Sequence, residues 1–561
     1  MISRRGFVAA LGSGIAIVGC GRHTLATANL AARGDVTVYK NGRVWTGLGQ
    51  TSWVDALAVG GDRIVALGES ALATRSARIV DLQGALVVPG FIDNHTHMTI
   101  GALALSQVNL FEVRTRAAFV DAIGAAARKV KPGKWLEGFG WDAERWGGEL
   151  PTRQWVDGVT GDTPISLSRS DGHTKFLNSA ALRLVGIDRN TPNPAGGTIL
   201  RDANGEATGI LRDNALEIVD RIVPKPSNAE VDAAVRLANA QALSRGVTQV
   251  HGCDLDWSAL ESFRRLRAEG EPGIRFNSYV PAQDWERMAE IVRREGRGDD
   301  WVRWGGVKAF IDGSLGSRTA YMDAPYADDP HNHGLVRQSR EVLKAWIAGA
   351  DAAGLQVASH AIGTAANELA LDIYAEVAAK NGARDRRFRI EHAQHLNARS
   401  IPRFKAQGVI ASLQPYHAID DGRWAERPLG AERLAGSWAA RSLLDAGATV
   451  TFGSDWPVAP LDPLTGIEAA VLRRTTDGKH PDGFVPAQRV TVAEALHAYT
   501  AANAFAGFQE DRLGTIRTGN LDDFVVLSDD IFTADPARIA RTEVLRTVVG
   551  GVERFASASV G

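Results

Sequence analysis

Two histidines separated by one residue, His95 and His97 in "GFIDNHTHM", are the first residues in this chain that could bind a metal ion. Side chains two positions apart on a β-strand point to the same face, so both imidazoles would face one side. Imidazole is a good ligand for zinc and related divalent ions. The pair alone is a weak signal, because the chain contains 13 histidines. Its position at the end of an apolar run, just after the Pro89-Gly90 turn, strengthens it.

Four further residues that could bind or bridge metal ions each lie at the end of a later apolar run. They are Lys308 in "GGVKAFID", His360 in "GLQVASHA", His392 in "RFRIEHAQ" and Asp455 in "ATVTFGSD". Catalytic residues of a (β/α)8 barrel lie at the C-terminal ends of its strands, so we predict that all six residues meet in one site. Taken singly, His360 and His392 each fit a hydrogen-bonded core histidine better than a ligand.

Lys308 and Asp455 could add acid–base chemistry to such a site. Burial in an apolar strand favours the neutral amine of a lysine, and a neutral amine can add carbon dioxide to form a metal-bridging carbamate. The residues alone favour the alternative, a buried ion pair of Lys308 with Asp312 or Asp455. Two metal ions would bring the pKa of a bridging water towards neutrality. Asp455 could then take a proton from the resulting hydroxide and deliver it to a leaving nitrogen.

The elements that would position these residues alternate between strand and helix. Eight apolar runs, most of them separated by segments of helical period, predict a parallel sheet closed into a (β/α)8 TIM-like barrel over residues 90–511. An inserted α/β subdomain is predicted over residues 130–225, on the substrate side of the barrel. Four tryptophans near its start suit either an apolar pocket wall or the core of the insert itself: Trp135, Trp141, Trp146 and Trp155.

Both ends of the chain carry short strand patterns around hairpin turn signals such as Asn41-Gly42 and Gly550-Gly551. We therefore predict one small composite β-sandwich from residues 35–89 and 512–561. A length of 561 residues is enough for one large barrel domain and additional smaller domains. The net charge of −2, without a long basic run, gives no indication of nucleic-acid binding.

Residues 1–20 have the pattern of an export signal, with Arg4 and Arg5 followed by a short apolar stretch. "SRRGFV" resembles a twin-arginine signal, and "IVGC" resembles a lipobox that would make Cys20 a lipidated membrane tether. The alternative is a plain cysteine in the signal. We predict a periplasmic or other extracytoplasmic location, with a linker at residues 21–34. Cys253 is the only other cysteine, so no disulfide framework is expected.

Taken together, the motifs resemble the amidohydrolase superfamily, and within it the amidohydrolase-3 group of the YtcJ-like, N-substituted formamide deformylase type. The resemblance rests on "PGFIDNHTH", "VKAFIDGSLGSRTA", "SHAIGTAANELALD", "RIEHAQH", "FGSDWPVAPLDPLTGI" and "DGHTKFLNSAAL", and it covers nearly the whole mature chain. It implies two divalent metal ions, with zinc expected. It places His95 and His97 on one metal, His360 and His392 on the other, a carboxylated Lys308 between them, and Asp455 as metal ligand and general acid/base. It thereby favours the carbamate over the ion pair at Lys308.

Four other residues are weaker candidates. His173 resembles a position of the group that lines the substrate pocket, with a structural role as the alternative. Trp456, next to Asp455, could form part of the pocket wall, and Asp312 and Arg318 could orient the site. Four other histidines are predicted to be surface or core residues and not metal ligands: His251, His333, His395 and His417.

The expected activity is hydrolysis of a non-peptide carbon–nitrogen bond in a small-molecule amide, an N-acyl or N-formyl amine. The alternatives are a deaminase, which typically uses one metal, a cyclic-amide or ester hydrolase, or a binding protein with a structural metal. Asp455 argues against the last, because structural zinc sites are usually closed and need no proton shuttle. A homodimer is common in the family.

Overall fold

A computed structural model describes residues 36–49, 52–75 and 77–560. The predicted signal and linker, including Cys20, lie outside the described residues, so the export and lipidation predictions stay predictions. Across the described ranges, no helix is both long and apolar enough to cross a membrane.

The N-terminal part is built from short strands that pair locally. Asn41, at a φ of 55°, lies in the turn between the first two strands, but these strands belong to different sheets, so the hairpin predicted at Asn41-Gly42 is wrong. The elements are β1 (Thr37–Lys40), β2 (Arg43–Trp45), β3 (Trp53–Val54), β4 (Leu57–Gly60), β5 (Arg63–Leu67), α1 (Glu69–Leu72), β6 (Arg78–Asp81) and β7 (Leu86–Pro89).

The insert follows the first barrel strand, β8 (Phe91–Thr96), and helix α2 (Met98–Ala104). It contains α3 (Arg116–Ala127), α4 (Asp157–Thr160), α5 (Ser179–Leu184) and α6 (Leu216–Asp220). Its six-stranded sheet has the order β13-β14-β12-β11-β10-β9, with β9 (Val108–Asn109), β10 (Leu136–Trp141), β11 (Ile165–Arg169), β12 (Thr174–Leu177), β13 (Gly197–Arg201) and β14 (Ala207–Asp213).

The tryptophans of the insert form its own core. The rings of Trp141, Trp146 and Trp155 surround Phe119, with centroid distances of 6.4, 5.3 and 6.4 Å. Trp135 packs against a second apolar cluster within the insert. Of the two interpretations, the structure therefore favours the insert core over a pocket wall.

Eight parallel strands form the predicted barrel. After β8 come β15 (Val247–Gly252), β16 (Arg275–Pro281), β17 (Val302–Phe310), β18 (Gln356–Ala361), β19 (Arg389–His392), β20 (Ile410–Leu413) and β21 (Val450–Phe452), hydrogen-bonded in chain order. A parallel bridge between Thr96 and Trp456 nearly closes the ring. Each strand lies in one of the eight apolar runs identified in the sequence, so the predicted fold class is confirmed.

Four of the barrel helices begin at a residue whose side chain caps them. Ser227, for example, caps α7 together with Glu230 in a capping box. The helices are α7 (Asn228–Ser244), α8 (Ser258–Ala268), α9 (Trp285–Glu295), α10 (Arg340–Ala352), α11 (Thr364–Asn381), α12 (Ile401–Gln407), α13 (Pro415–Asp420), α14 (Glu426–Leu429), α15 (Ala440–Asp445), α16 (Pro463–Leu472), α17 (Val492–Tyr499) and α18 (Ala501–Ala506).

The C-terminal strands join the N-terminal ones in one sheet, in the order β24-β23-β22-β7-β2-β3, with β22 (Phe524–Leu527), β23 (Val544–Val549) and β24 (Val552–Ala556). A second sheet has the order β5-β4-β1-β6. Tyr39 and Leu57 of this second sheet pack against Phe524 and Val548 of the first in one buried cluster. The two ends of the chain thus form one composite β-sandwich, as predicted from the sequence.

Candidate metal centre

The six predicted ligands lie together at the C-terminal end of the barrel. His95 is in β8, Lys308 in β17, His360 in β18 and His392 at the end of β19, while Asp455 follows β21. Five of them are almost inaccessible to solvent, and the sixth, His97, has a side chain 13% exposed. Burial in the barrel mouth leaves their polar atoms facing one another rather than bulk water.

Unusual backbone geometry turns two of these residues towards the site. His392 has a φ of 74° and Asp455 a φ of 63°, in the left-handed region that non-glycine residues rarely adopt. In a regular strand, the side chains of Glu391 and His392 would point to opposite faces of β19. The left-handed conformation of His392 breaks this alternation. Two backbone hydrogen bonds hold the loop after β21 against β8: Asp455 N donates to His95 O at 2.8 Å, and His97 N to Trp456 O at 2.8 Å.

Asp455 lies at the centre of the cluster. Its Oδ1 is 3.1 Å from His97 Nε2 and 3.4 Å from His95 Nε2. Burial raises the pKa of Asp455, yet the pKa lies below its usual range, and a hydrogen bond from the His97 side chain contributes to the lowering. His95, His392 and Asp455 each offer a ligand atom, and these atoms all lie within 4.8 Å of one another. An anionic carboxylate with two imidazoles is a donor set that suits zinc.

The hydrogen bonds of the histidines assign their protons. His95 Nδ1 is 2.6 Å from Glu391 Oε2, His392 Nδ1 is 2.8 Å from Gln414 Oε1, and His360 Nε2 is 3.0 Å from the carbonyl oxygen of Gly313. Since these oxygens only accept, each of those nitrogens carries the proton and the other ring nitrogen keeps its lone pair.

The same three imidazoles are neutral at physiological pH. Burial, the largest cause, lowers the pKa of His95, His360 and His392 well below the ordinary value for histidine. Metal binding requires neutral imidazole, so the residues present fit a metal ion.

Lys308 faces the cluster and not a carboxylate. Its Nζ lies 3.1 Å from His95 Nε2 and 4.6 Å from the ring centroid of Phe310. Among the described residues it forms no ion pair with Asp312 or Asp455. Asp312 is satisfied differently, because it accepts backbone N–H bonds from Tyr321, Ile362 and Gly363 at 2.8–3.1 Å. The ion-pair alternative for Lys308 therefore has no support in the geometry.

The weaker candidates fall at different distances from the cluster. The ring of His173 lies 5.1 Å from that of His360, and its Nδ1 is 2.8 Å from Asp213 Oδ1. Asp312 Oδ1 is 3.4 Å from His360 Nε2. Arg318 is paired with Asp328 at 2.6 Å, so its guanidinium is engaged away from the ligands.

A cavity of about 570 Å³ is lined by Trp456, the residue that follows Asp455, but by none of the six predicted ligands. Its other aromatic walls are Phe111, Phe139, Tyr416 and Trp424. Its charged residues are of both signs, as in the pair of Arg423 with Asp420 at 2.8 Å.

Several site residues have no assigned role in the sequence interpretation. His417 Nε2 lies 3.7 Å from Asp455 Oδ2, and its ring is 6.1 Å from that of His392. His417 follows β20, the seventh barrel strand, by four residues, and that position is the signal that could have identified it. Glu391 and Gln414 also contact ligands directly, as described above. His251 lies deeper in the barrel, with Nδ1 3.0 Å from Arg389 Nη1.

Comparison with known proteins agrees with this geometry. A profile of the Amidohydrolase family matches residues 78–555. The chain is 39% identical over 536 residues to Protein LONG AFTER FAR-RED 3 of Arabidopsis thaliana, covering 92% of this chain and 91% of that one. It is 34% identical to YtcJ of Bacillus subtilis, covering 84% of this chain and 89% of that one. It is 29% identical to N-substituted formamide deformylase of Arthrobacter pascens, covering 92% and 97%.

A similar solved structure is that of an uncharacterized metal-dependent hydrolase from Pyrococcus horikoshii. It superimposes with a TM-score of 0.74 at 27% identity, covering 90% of this chain and 99% of that one. About nine-tenths of the chain thus has a structural counterpart in a metal-dependent hydrolase.

Proposed function

This chain belongs to the amidohydrolase family, and we propose that it hydrolyses a non-peptide carbon–nitrogen bond in a small-molecule amide, an N-acyl or N-formyl amine. The observation that carries the proposal is the buried cluster of His95, His392 and Asp455, whose ligand atoms lie within 4.8 Å of one another at the mouth of the barrel. The cavity of about 570 Å³ that Trp456 lines is large enough for a small molecule. The deformylase of Arthrobacter pascens, by its name, acts on an N-substituted formamide.

We propose that the cluster holds two divalent ions, with zinc expected. His95 and His97 would bind one ion and His360 and His392 the other, with Asp455 as a further ligand. A carbamate on Lys308 would bridge them, which suits an Nζ that lies 3.1 Å from His95 Nε2 and has no carboxylate partner among the described residues. When bound, the metal ions supply a nucleophilic water at neutral pH and polarise the substrate carbonyl.

Asp455 is the residue in position to move protons. It is a carboxylate at neutral pH, and so can take the proton of the attacking water as the new carbon–oxygen bond forms. The same proton then goes to the nitrogen of the leaving amine as the carbon–nitrogen bond breaks. His417 Nε2 lies 3.7 Å from the second carboxylate oxygen of Asp455, too far for a hydrogen bond.

Binding of the substrate falls to residues around the cavity. Trp456 directly follows Asp455 and lines the cavity wall, so an acyl group held against its ring would lie next to the proton shuttle. His173, whose ring lies 5.1 Å from that of His360, would contact the part of the substrate next to the metal ligands. The paired charges of Arg423 and Asp420 leave the wall without a dominant sign, which suits a neutral amide.

A hydrolysis screen tests this proposal. The zinc-loaded protein would be incubated with N-formyl and N-acyl amines, N-acyl amino acids, lactams, aryl esters and aminopurines, and the products identified by mass spectrometry. Release of free amine is the expected result, and the preferred acyl group would define the pocket. Release of ammonia or of an alcohol alone would make the protein a deaminase or an esterase. No turnover of any class with metal bound would favour a binding protein.

A further inference from the structure

We propose that Glu391 is a positioning residue that orients His95 for metal binding, and that Arg389 in turn fixes Glu391. This inference rests on the proposed metal centre, because it concerns one of the ligands in it. Glu391 does not touch the substrate cavity, and its effect would be exerted entirely through the ring of His95.

The contacts of Glu391 leave its carboxylate no freedom to rotate. Oε2 lies 2.6 Å from His95 Nδ1 and accepts a hydrogen bond from Ser412 Oγ at 2.6 Å. Arg389 donates to both oxygens, from Nε to Oε1 at 2.7 Å and from Nη2 to Oε2 at 3.1 Å. Glu391 and Arg389 are both fully buried. A carboxylate fixed in this way places the proton of His95 on Nδ1 and directs the Nε2 lone pair towards the ligand cluster.

Arg389 is held as firmly as the carboxylate that it binds. Nη2 also donates to the carbonyl oxygen of Asn94 at 2.6 Å, and Nη1 donates to Tyr279 Oη at 2.9 Å. Tyr279 Oη donates onward to Gln356 Oε1 at 2.7 Å. The planar guanidinium is matched to several acceptors at once, so it acts as a rigid support inside the barrel and not as a mobile counter-ion.

His95 is distinct from the other proposed ligands in this respect. The proton-bearing nitrogen of His392 meets a neutral amide, that of Gln414, and the one of His360 meets a backbone carbonyl, that of Gly313. His97 Nδ1 has no hydrogen-bond partner among the described residues. A carboxylate behind a ligating imidazole raises its basicity and fixes the ring, so the contribution of His95 to metal affinity depends on Glu391 more than on any other neighbour.

The test measures the affinity of the apo-protein for Zn²⁺ by competition with a chromophoric chelator. The first variant is Glu391→Gln, which keeps the shape and removes the charge. The second is the double variant Arg389→Gln/Glu391→Gln, which removes both charges and so avoids leaving one of them buried and unpaired. We expect Zn²⁺ to bind 10–100-fold more weakly to both, about the range seen when a carboxylate behind a metal ligand is removed.

Asp523→Asn is the matched control. Asp523 forms a second buried, bidentate pair with Arg275, at 2.7 and 2.8 Å, and it contacts none of the proposed ligands. If Glu391 served only the stability of the barrel, the control would reduce Zn²⁺ affinity as much as the Glu391 variants do. The visible absorption of bound Co²⁺, which reports ligand geometry, should change in the Glu391 variants and not in Asp523→Asn.

Wild-type affinity in Glu391→Gln and in the double variant would overturn the inference and leave the proposed function intact. So would an equal loss of affinity in Asp523→Asn. A wild-type protein that binds no Zn²⁺ would overturn the metal centre and this inference together, so the two failures are distinguishable.

Discussion

Replacement of Asp455 by asparagine separates its chemical role from its structural one. The amide has nearly the shape of the carboxylate, and the backbone hydrogen bond from residue 455 to His95 O is unaffected. What is lost is the negative charge 3.1 Å from His97 Nε2 and 3.4 Å from His95 Nε2, and with it the ability to hold a proton. Asp455→Asn should therefore remain folded and lose its catalytic rate.

The size of the loss follows from the role. A positioned general acid/base contributes about 10²–10⁴-fold to a rate, which corresponds to about 3–5 kcal/mol in the activation barrier. The structure places no second carboxylate among the proposed ligands that could replace Asp455. We expect kcat to fall by that factor at saturating Zn²⁺, with a much smaller change in KM, because the group acts on protons and not on substrate binding.

The assay is steady-state amine release from the best substrate of the screen, with metal content measured on the same samples. Asp351→Asn is the control, because Asp351 is also buried but pairs with Arg384 and Arg386 and contacts none of the proposed ligands. It should keep the wild-type kcat at a temperature where it is folded. A fully metal-loaded Asp455→Asn protein with kcat within about tenfold of wild type would refute the assignment of Asp455 as proton shuttle.

Three further predictions concern the metals and pH. Lys308→Ala should lose at least one equivalent of metal and most activity, and full occupancy by elemental analysis with intact turnover would refute its bridging role. Chelation should abolish activity and added Zn²⁺ should restore it; activity that survives complete metal removal would contradict a metal-dependent reaction. Burial, with repulsion from Asp523, raises the pKa of Asp522 to about 7, so the folded protein retains a proton that the unfolded chain releases. The stability that the folded protein owes to this raised pKa is fully present below pH 4, and it is lost as the pH rises to 7. Asp522→Asn should therefore gain up to about 4 kcal/mol over wild type by pH 8 in denaturant unfolding of the apo-protein, and a pH-independent difference would contradict the shift.

The barrel could be predicted from sequence because its strands are short buried runs whose last residues are chemically unusual. His360 and His392 each follow such a run, and the rule that barrel sites lie at strand ends brings them together before any coordinates are known. The family resemblance then singled out Lys308, for which the residues alone favoured an ion pair. The geometry gives that pair no support, because Asp312 is satisfied by backbone N–H groups.

Contacts across the barrel could not be predicted in this way. Glu391 and His95 are separated by 296 positions in sequence, and nothing local to either residue indicates their 2.6 Å contact. His417 carries a weaker signal than the predicted histidines, because it lies in a short helix four residues after the seventh strand and not at the end of an apolar run. Residue type alone also does not distinguish a pocket wall from a hydrophobic core. The tryptophans of the insert, such as Trp141, suit both until their neighbours are known.

Diffraction from crystals of the zinc-loaded protein, with anomalous data at the zinc absorption edge, tests the central claim most directly. We predict two anomalous peaks, one within bonding distance of His95 and His97 and one within bonding distance of His360 and His392. Density for a carboxylated Lys308 should join them, with Asp455 in contact. A single peak held by His95, His392 and Asp455 beside an unmodified Lys308 would contradict the two-metal account, and no peak at the barrel mouth would contradict the metal centre itself.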